Sequence, residues 1–220
     1  LWAWRRAPNF CDVVAYTGDG NFPRTNDVIH NLGVAPEMIW IKNRDQADVW
    51  AVYHSGVSAD PETDYLHLND TVQAQDSAGY WYDTAPTATS FKLGNQHTVN
   101  ANNENYIAYL FATLAGISKV GSYTGNGSTQ TIDCGFTSGA RYVLIKRTNA
   151  TGNWHEFHTG YGIVAGNEQA KYVNTGGDLA SSVIYDLIDP DSSGFIINQE
   201  TVSGSNLNVN GASYIFYAIA

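Results

Sequence analysis

Residues 108–127 read AYLFATLAGISKVGSYTGNG, and residues 1–20 read LWAWRRAPNFCDVVAYTGDG; laid over each other, the two need no gap. Tyr16, Thr17, Gly18 and Gly20 fall on Tyr123, Thr124, Gly125 and Gly127, while Trp2 and Trp4 fall on Tyr109 and Phe111. Self-similarity at a fixed offset is the mark of an internal repeat. Working outward, MIWIKNRDQADVWAVYH (38–54) lies over YVLIKRTNATGNWHEFH (142–158), matching Ile41, Lys42, Trp50 and His54 to Ile145, Lys146, Trp154 and His158. TAPTATSFKLG (84–94) meets IDPDSSGFIIN (188–198), with Pro86 on Pro190 and Phe91 on Phe195. VNANNENYIAYLFA (99–112) meets LNVNGASYIFYAIA (207–220), setting Asn100 and Tyr106 on Asn208 and Tyr214.

The expected organisation is therefore two copies of one unit, residues 12–116 and 117–220. Residues 1–11 are expected to be the closing strand of an earlier copy, with Trp2 and Trp4 as core residues and the parent polypeptide extending N-terminally. The repeat core is expected to contain Trp2, Trp4, Tyr16, Ile41, Trp50, Phe91, Tyr109, Phe111, Tyr123, Ile145, Trp154, Phe195 and Tyr217. The segment TLAGIS (113–118) is short, largely apolar and free of proline. A flexible linker is longer and more polar, so the copies are expected to abut rigidly.

Composition sets the class. Only 15% of the 220 residues are charged, against about 25% in an average globular protein. Asn, Thr, Ser, Gly and Tyr supply the polarity, a mixture suited to strands and tight turns. The expectation is an all-β chain of two similar β-sandwich units with little helix, apart from a helical turn in NEQAKYV (167–173). EMIWIK and RYVLIK, each followed by a polar tip and a second strand-like run, predict hairpins. YIAYLFA (106–112) is apolar on both alternating faces, which predicts a strand buried on both sides.

A formal charge of −10 opposes binding to phosphate backbones, which draws its affinity from Lys and Arg. Nucleic acid is therefore not an expected partner. No apolar run approaches the ~20 residues that span a bilayer, nor does the N-terminus show the order of a signal peptide, so no membrane partner is expected. Cys11 and Cys134 allow one disulfide at most and read as two small half-buried hydrophobes kept reduced until after assembly.

Four stretches carry residue types able to do chemistry. His54 and His158 occupy equivalent positions, but no nucleophile or acid is duplicated beside them; Asp48, for example, corresponds to Gly152. Asp60, Glu62 and Asp64, and likewise Asp186, Asp189 and Asp191, cluster in turn-like stretches where acids are ordinarily solvated. DPDSSG (189–194) lacks the ligand series of a calcium loop. No catalytic residue, metal or cofactor is expected. GYWYDTAP (79–86) sets three rings side by side, either as a strand with alternate rings buried or as a surface on which sugars stack. Tyr80, Trp81 and Tyr82 are thus the candidate carbohydrate contacts, with Tyr161 a distant second.

WAWRRAPNFCDVVAYTG (2–18), HNLGVAPEMIWIK (30–42), NYIAYLFA (105–112), SKVGSYTGNG (118–127) and RYVLIKRT (141–148) occur in this order. Together they resemble an uncharacterised tandem β repeat of tail-fibre and other virion proteins of tailed bacteriophages. The resemblance covers essentially the whole chain and transfers no catalytic residues. It implies a structural and adhesive module of a phage virion, assembled in the bacterial host cytoplasm. Homo-oligomerisation, with a trimer as the analogy-based guess, and contacts with other virion tail proteins go with it. The alternative is a carbohydrate-binding module that contacts host surface glycan directly; a depolymerase is disfavoured for want of an acid/base set.

Overall fold

The computed structural model describes residues 5–160, 162–169, 171–175, 184–198 and 207–220. Trp2, Trp4 and Tyr161 lie outside the described residues. The fold is all-β, and the chain divides into two compact units: Leu1–Leu68 with Ala74–Thr113, and Asn69–Gln73 with Leu114–Ala220.

The first unit runs β1 (Cys11–Thr17), β2 (Val28–Ile29), β3 (Met38–Asn43), β4 (Trp50–His54), β5 (Asp64–His67), β6 (Gln75–Asp76), α1 (Ala78–Trp81), β7 (Ser90–Phe91), α2 (His97–Asn100) and β8 (Asn105–Phe111). Its large sheet has the order β1-β8-β3-β4-β5-β6, and β2 pairs with β7 apart from it. The second unit runs β9 (Ser118–Thr124), β10 (Gln130–Asp133), β11 (Tyr142–Arg147), β12 (Trp154–His158), β13 (Glu168–Gln169), β14 (Lys171–Tyr172), a 3-10 turn (Val173–Thr175), β15 (Ile184–Tyr185), β16 (Ile188–Asp191), β17 (Gly194–Ile197) and β18 (Ser213–Ile219). Its large sheet reads β9-β18-β11-β12-β14, and a small sheet reads β10-β17-β16. Strand order in the two large sheets corresponds over five strands, β1-β8-β3-β4-β5 to β9-β18-β11-β12-β14, and β6 extends the first sheet by one.

Both expected hairpins form, and in the same register. Met38 faces His54 and Lys42 faces Trp50; Tyr142 faces His158 and Lys146 faces Trp154. Alternation then decides which side chains meet. In the first unit Ile39, Ile41, Ala51, Tyr53, Tyr106, Ala108 and Leu110 turn one sheet face toward Val28 and Phe91 of the small sheet, with Tyr80, Trp81 and Val99 from the helices. In the second, Val143, Ile145, Phe157, Tyr214, Phe216 and Ala218 meet Ile132, Ile188, Phe195 and Ile197. Each unit is two-layered and sandwich-like.

The pleat divides the expected core residues between the two faces of each sheet. Ile41, Phe91, Ile145 and Phe195 lie in the core between the layers, and Tyr16 and Tyr123 pack on its margin. Trp50, Tyr109, Phe111, Trp154 and Tyr217 belong to the opposite sheet faces, because they are an odd number of residues from the core positions of their own strands. There Phe111, Trp154 and Tyr217 are buried, whereas Trp50 and Tyr109 are half-buried and tilt against each other. YIAYLFA, expected to be a strand buried on both sides, forms β8 but leaves Ile107 and Tyr109 half-buried, whereas its counterpart β18 is buried on both faces from Tyr214 to Ala218. NEQAKYV departs from its expected helical turn: Glu168–Gln169 and Lys171–Tyr172 are strands, followed by the 3-10 turn. TLAGIS closes as a turn, with the Ile117 N–H donating to the Leu114 carbonyl and Gly116 at φ +73°.

One corner recurs in both units. The buried Asn100 accepts the Asp19 N–H through Oδ1 at 3.0 Å. Its Nδ2 donates to Asp19 Oδ1, the Asn21 carbonyl and the Gly94 carbonyl. The buried Asn208 accepts the Asn126 N–H at 2.9 Å and Gln130 Nε2 at 2.8 Å, and donates to the carbonyls of Ser128 and Asn198. Beside each, a tyrosine hydroxyl reaches the preceding carbonyl at 2.7 Å, Tyr16 to Val99 and Tyr123 to Leu207. Those rings stack on Tyr106 and Tyr214 at 5.2 and 4.8 Å. Buried amides satisfied this fully fix geometry, since removing one member strands its partners without water.

Candidate functional site

The GYWY stretch is not a stacking platform. Ser77 accepts the Gly79 N–H as an N-cap, and α1 turns Tyr80 and Trp81 inward to 3% and 2% exposure. Tyr80 stacks on Tyr65 at 3.8 Å, and its hydroxyl meets His67 Nε2 at 3.0 Å. Trp81 sets its edge against Tyr53 and donates Nε1–H to the Asp64 carbonyl at 2.9 Å. A sugar cannot reach either ring face. Only Tyr82 comes near the surface, edge-on to the exposed Phe22 at 5.0 Å.

The paired histidines act alike. His54 Nδ1 accepts the Gly56 N–H and His158 Nδ1 accepts the Gly160 N–H, each at 3.0 Å. Both cap the turn after their strand, which accounts for their equivalence without a reaction. In the acidic stretches, the Asp60 carbonyl closes a turn with Thr63. Asp189 accepts the Gly166 N–H and Asn198 Nδ2, while Asp191 caps Ser193 N–H and Oγ–H. DPDSSG is the hairpin turn between β16 and β17. Among the described residues, no group of three metal-ligating side chains comes together, and no helix is long and apolar enough to cross a membrane. Cys11 and Cys134 are both buried free thiols, and burial pushes Cys134 up to about 12.

Sequence reasoning missed the buried titratable groups of the second unit. Lys146 is fully buried and donates to the carbonyls of Thr71 and Gly152; burial pulls it down to about 8. His155 is packed against Phe157 and Tyr172, and burial pulls it to about 4. Glu168 accepts the N–H groups of Leu187 and Ile188 through Oε1 at 2.7 and 2.9 Å. Burial raises its carboxyl to about 8, those amides offset part of the rise, and Asp186 and Asp189 add to it.

A raised carboxyl binds its proton more tightly when folded. Its contribution is therefore complete below the unfolded value and lost as pH rises through about 8. Between pH ~6.5 and ~8 the chain is expected to lose ~2 kcal/mol of unfolding free energy through Glu168. Urea titrations of the wild type and Glu168→Gln check this, because Gln keeps the acceptor and removes the proton. Lys146 acts with opposite sign but equally in both proteins. Parallel pH profiles would rule out a protonated Glu168.

The second unit also holds a cleft of about 260 Å³ lined by Ser138, Gly139, Ala140, Arg141, Thr159, Ile163, Pro190, Asp191 and Ser192. Its walls are tied by backbone hydrogen bonds: Gly139 N–H to Ser192, Ala140 N–H to Gly194, and Thr159 N–H to Arg141. Gly139 sits at φ +77°, and a Cβ there would lie 2.6 Å from the Asp191 carbonyl oxygen. No reading of single motifs could find this cleft, since its residues come from separate turns.

The family described as domain of unknown function (DUF7483) matches residues 9–220. No curated protein and no solved structure matches the chain.

Proposed function

The chain belongs to the DUF7483 family, and we propose that it is a structural and adhesive module of a bacteriophage virion, part of a tail fibre or similar appendage, built as two tandem sandwiches. The observation that carries this reading is the recurrent asparagine corner. Side-chain polarity in both units is directed inward, at Asn100 and Asn208, to brace strand ends against each other. Such bracing suits a part that transmits load and holds its shape. The aromatic residues serve the same end, and His54 and His158 are turn caps, so the reading includes no reaction. The resemblance of its motifs to a repeat of virion proteins suggests the setting, and the trimer is carried over from phage fibres by analogy alone.

Two measurements test it. Sedimentation equilibrium of the purified protein is expected to give three chains per particle. Gold-labelled antibody against it is expected to decorate the tail appendage of the phage whose genome encodes it. A monomer together with unlabelled particles would sink the proposal. The second reading, direct glycan contact, loses Tyr80 and Trp81 to the core; what favours it is the cleft of the second unit.

A further inference from the structure

We propose that the Arg141 cleft binds one acidic sugar residue, a hexuronate of a surface polysaccharide. The inference stands on the cleft and does not require the virion setting. Among the described residues, neither the Arg141 guanidinium nor the hydroxyls of Ser138, Thr159 and Ser192 has an internal hydrogen-bond or ion-pair partner. All four residues are exposed and all line the one concavity, so their polar groups are free to meet a ligand. Pro190 is exposed at the rim and Ile163 forms a buried apolar wall, a surface for the C–H face of a pyranose. The volume of about 260 Å³ is below the roughly 300–1,000 Å³ of sites for drug-sized ligands and suits a single ring.

Charge selects the ligand further. The chain carries 11 Lys and Arg against 21 Asp and Glu, so its overall field repels anions and a cation left unpaired in a cleft stands out. The guanidinium fork matches a carboxylate with two parallel hydrogen bonds. Asp191 also lines the cleft; Ser193 engages its Oδ1 and holds it ionised, so its charge weakens the pull of the guanidinium on an anion and the ring contacts must add to it. The fold does not require this set. By the hairpin alignment, Ser138 to Arg141 correspond to Val34, Ala35, Pro36 and Glu37, and Ser192 to Ala88. Glu37 serves its own unit, accepting the Thr113 N–H, whereas the Arg141 side chain braces nothing.

The cleft is already formed, so binding orders little besides the arginine side chain. Titrating the full chain with sodium glucuronate, followed by heteronuclear NMR, is expected to give saturable shifts at residues 138–141 and 190–192 with a Kd of order ~1 mM. Glucose tests the carboxylate and acetate tests the ring; each is expected to bind at least about tenfold more weakly. Arg141→Gln is expected to weaken glucuronate by about tenfold or more with an unchanged unfolding temperature, as its side chain holds nothing in place. No saturable shift by glucuronate in the folded protein overturns the proposal. So does glucose or acetate binding as well as glucuronate, or Arg141→Gln binding like the wild type.

Discussion

Asn100→Asp and Asn208→Asp are expected to cost about 3 kcal/mol or more each, the loss typical when a buried hydrogen-bond network is broken without change of shape. The replacement is isosteric, so packing is preserved and only the donor is removed. At Asn208, Oδ1 continues to accept from Asn126 and Gln130. The atom replacing Nδ2 would face the carbonyl oxygens of Ser128, at 2.7 Å, and Asn198, at 3.1 Å. Neither carbonyl can donate. A buried carboxylate against two acceptors must take up a proton or leave the corner, and a single proton restores only one bond. Asn100→Asp is expected to be the worse of the pair, because Nδ2 there also meets the Asp19 carboxylate at 3.1 Å. Thermal and urea unfolding by circular dichroism read both. A change below about 1 kcal/mol at either position would show that its corner does not brace the unit.

Gly18→Ala and Gly125→Ala are expected to be comparably damaging, for a steric reason. A Cβ on Gly18 would lie 2.1 Å from the Ala101 carbonyl oxygen, and one on Gly125 would lie 2.3 Å from that of Val209. Neither obstacle is a side chain that can swing away. The Gly18 N–H is bonded to Glu104 and the Gly125 N–H to Ala212, both at 2.8 Å, so separation breaks the strand end. Overpacking usually costs about 1–3 kcal/mol, and a backbone clash belongs at or above the top of that range. Gly152→Ala is the matched control: its nearest neighbour is the Arg147 Cβ at 3.5 Å, an ordinary contact, and the expected change stays within about 0.5 kcal/mol. Equal midpoints for Gly125→Ala and Gly152→Ala would refute the close approach.

How far residues announce their roles follows from the range of the physics. The hairpins were legible because an apolar run, a polar tip and a second run are local, and the shared offset of Lys42–Trp50 and Lys146–Trp154 gave the same register. The match of Asn100 to Asn208 was legible too, but not its meaning. Their partners Asp19 and Asn126 lie about eighty residues away along the chain, and an isolated asparagine reads as a turn. Which face Trp50 and Trp154 occupy was illegible, since alternation gives two faces without saying which one the second layer covers. GYWY misled for a different reason: three adjacent rings suggest a strand, while the Ser77 cap and the contacts with Tyr53 and Tyr65 make a single helical turn the better burial. Arg141 carried no signal, because a cation beside a strand is ordinary until the fold sets it in one cleft lining with Ser138, Thr159 and Ser192.

The claim beneath all of this is that one braced corner was used twice. Native-state hydrogen exchange followed by NMR tests it most directly, reading the backbone amides of Asp19, Gly20, Asn126 and Gly127 together with the side-chain amides of Asn100 and Asn208. The account predicts slow exchange at both corners, each group protected by its bond to or from the buried asparagine. Protection at one corner with free exchange at the other would contradict it.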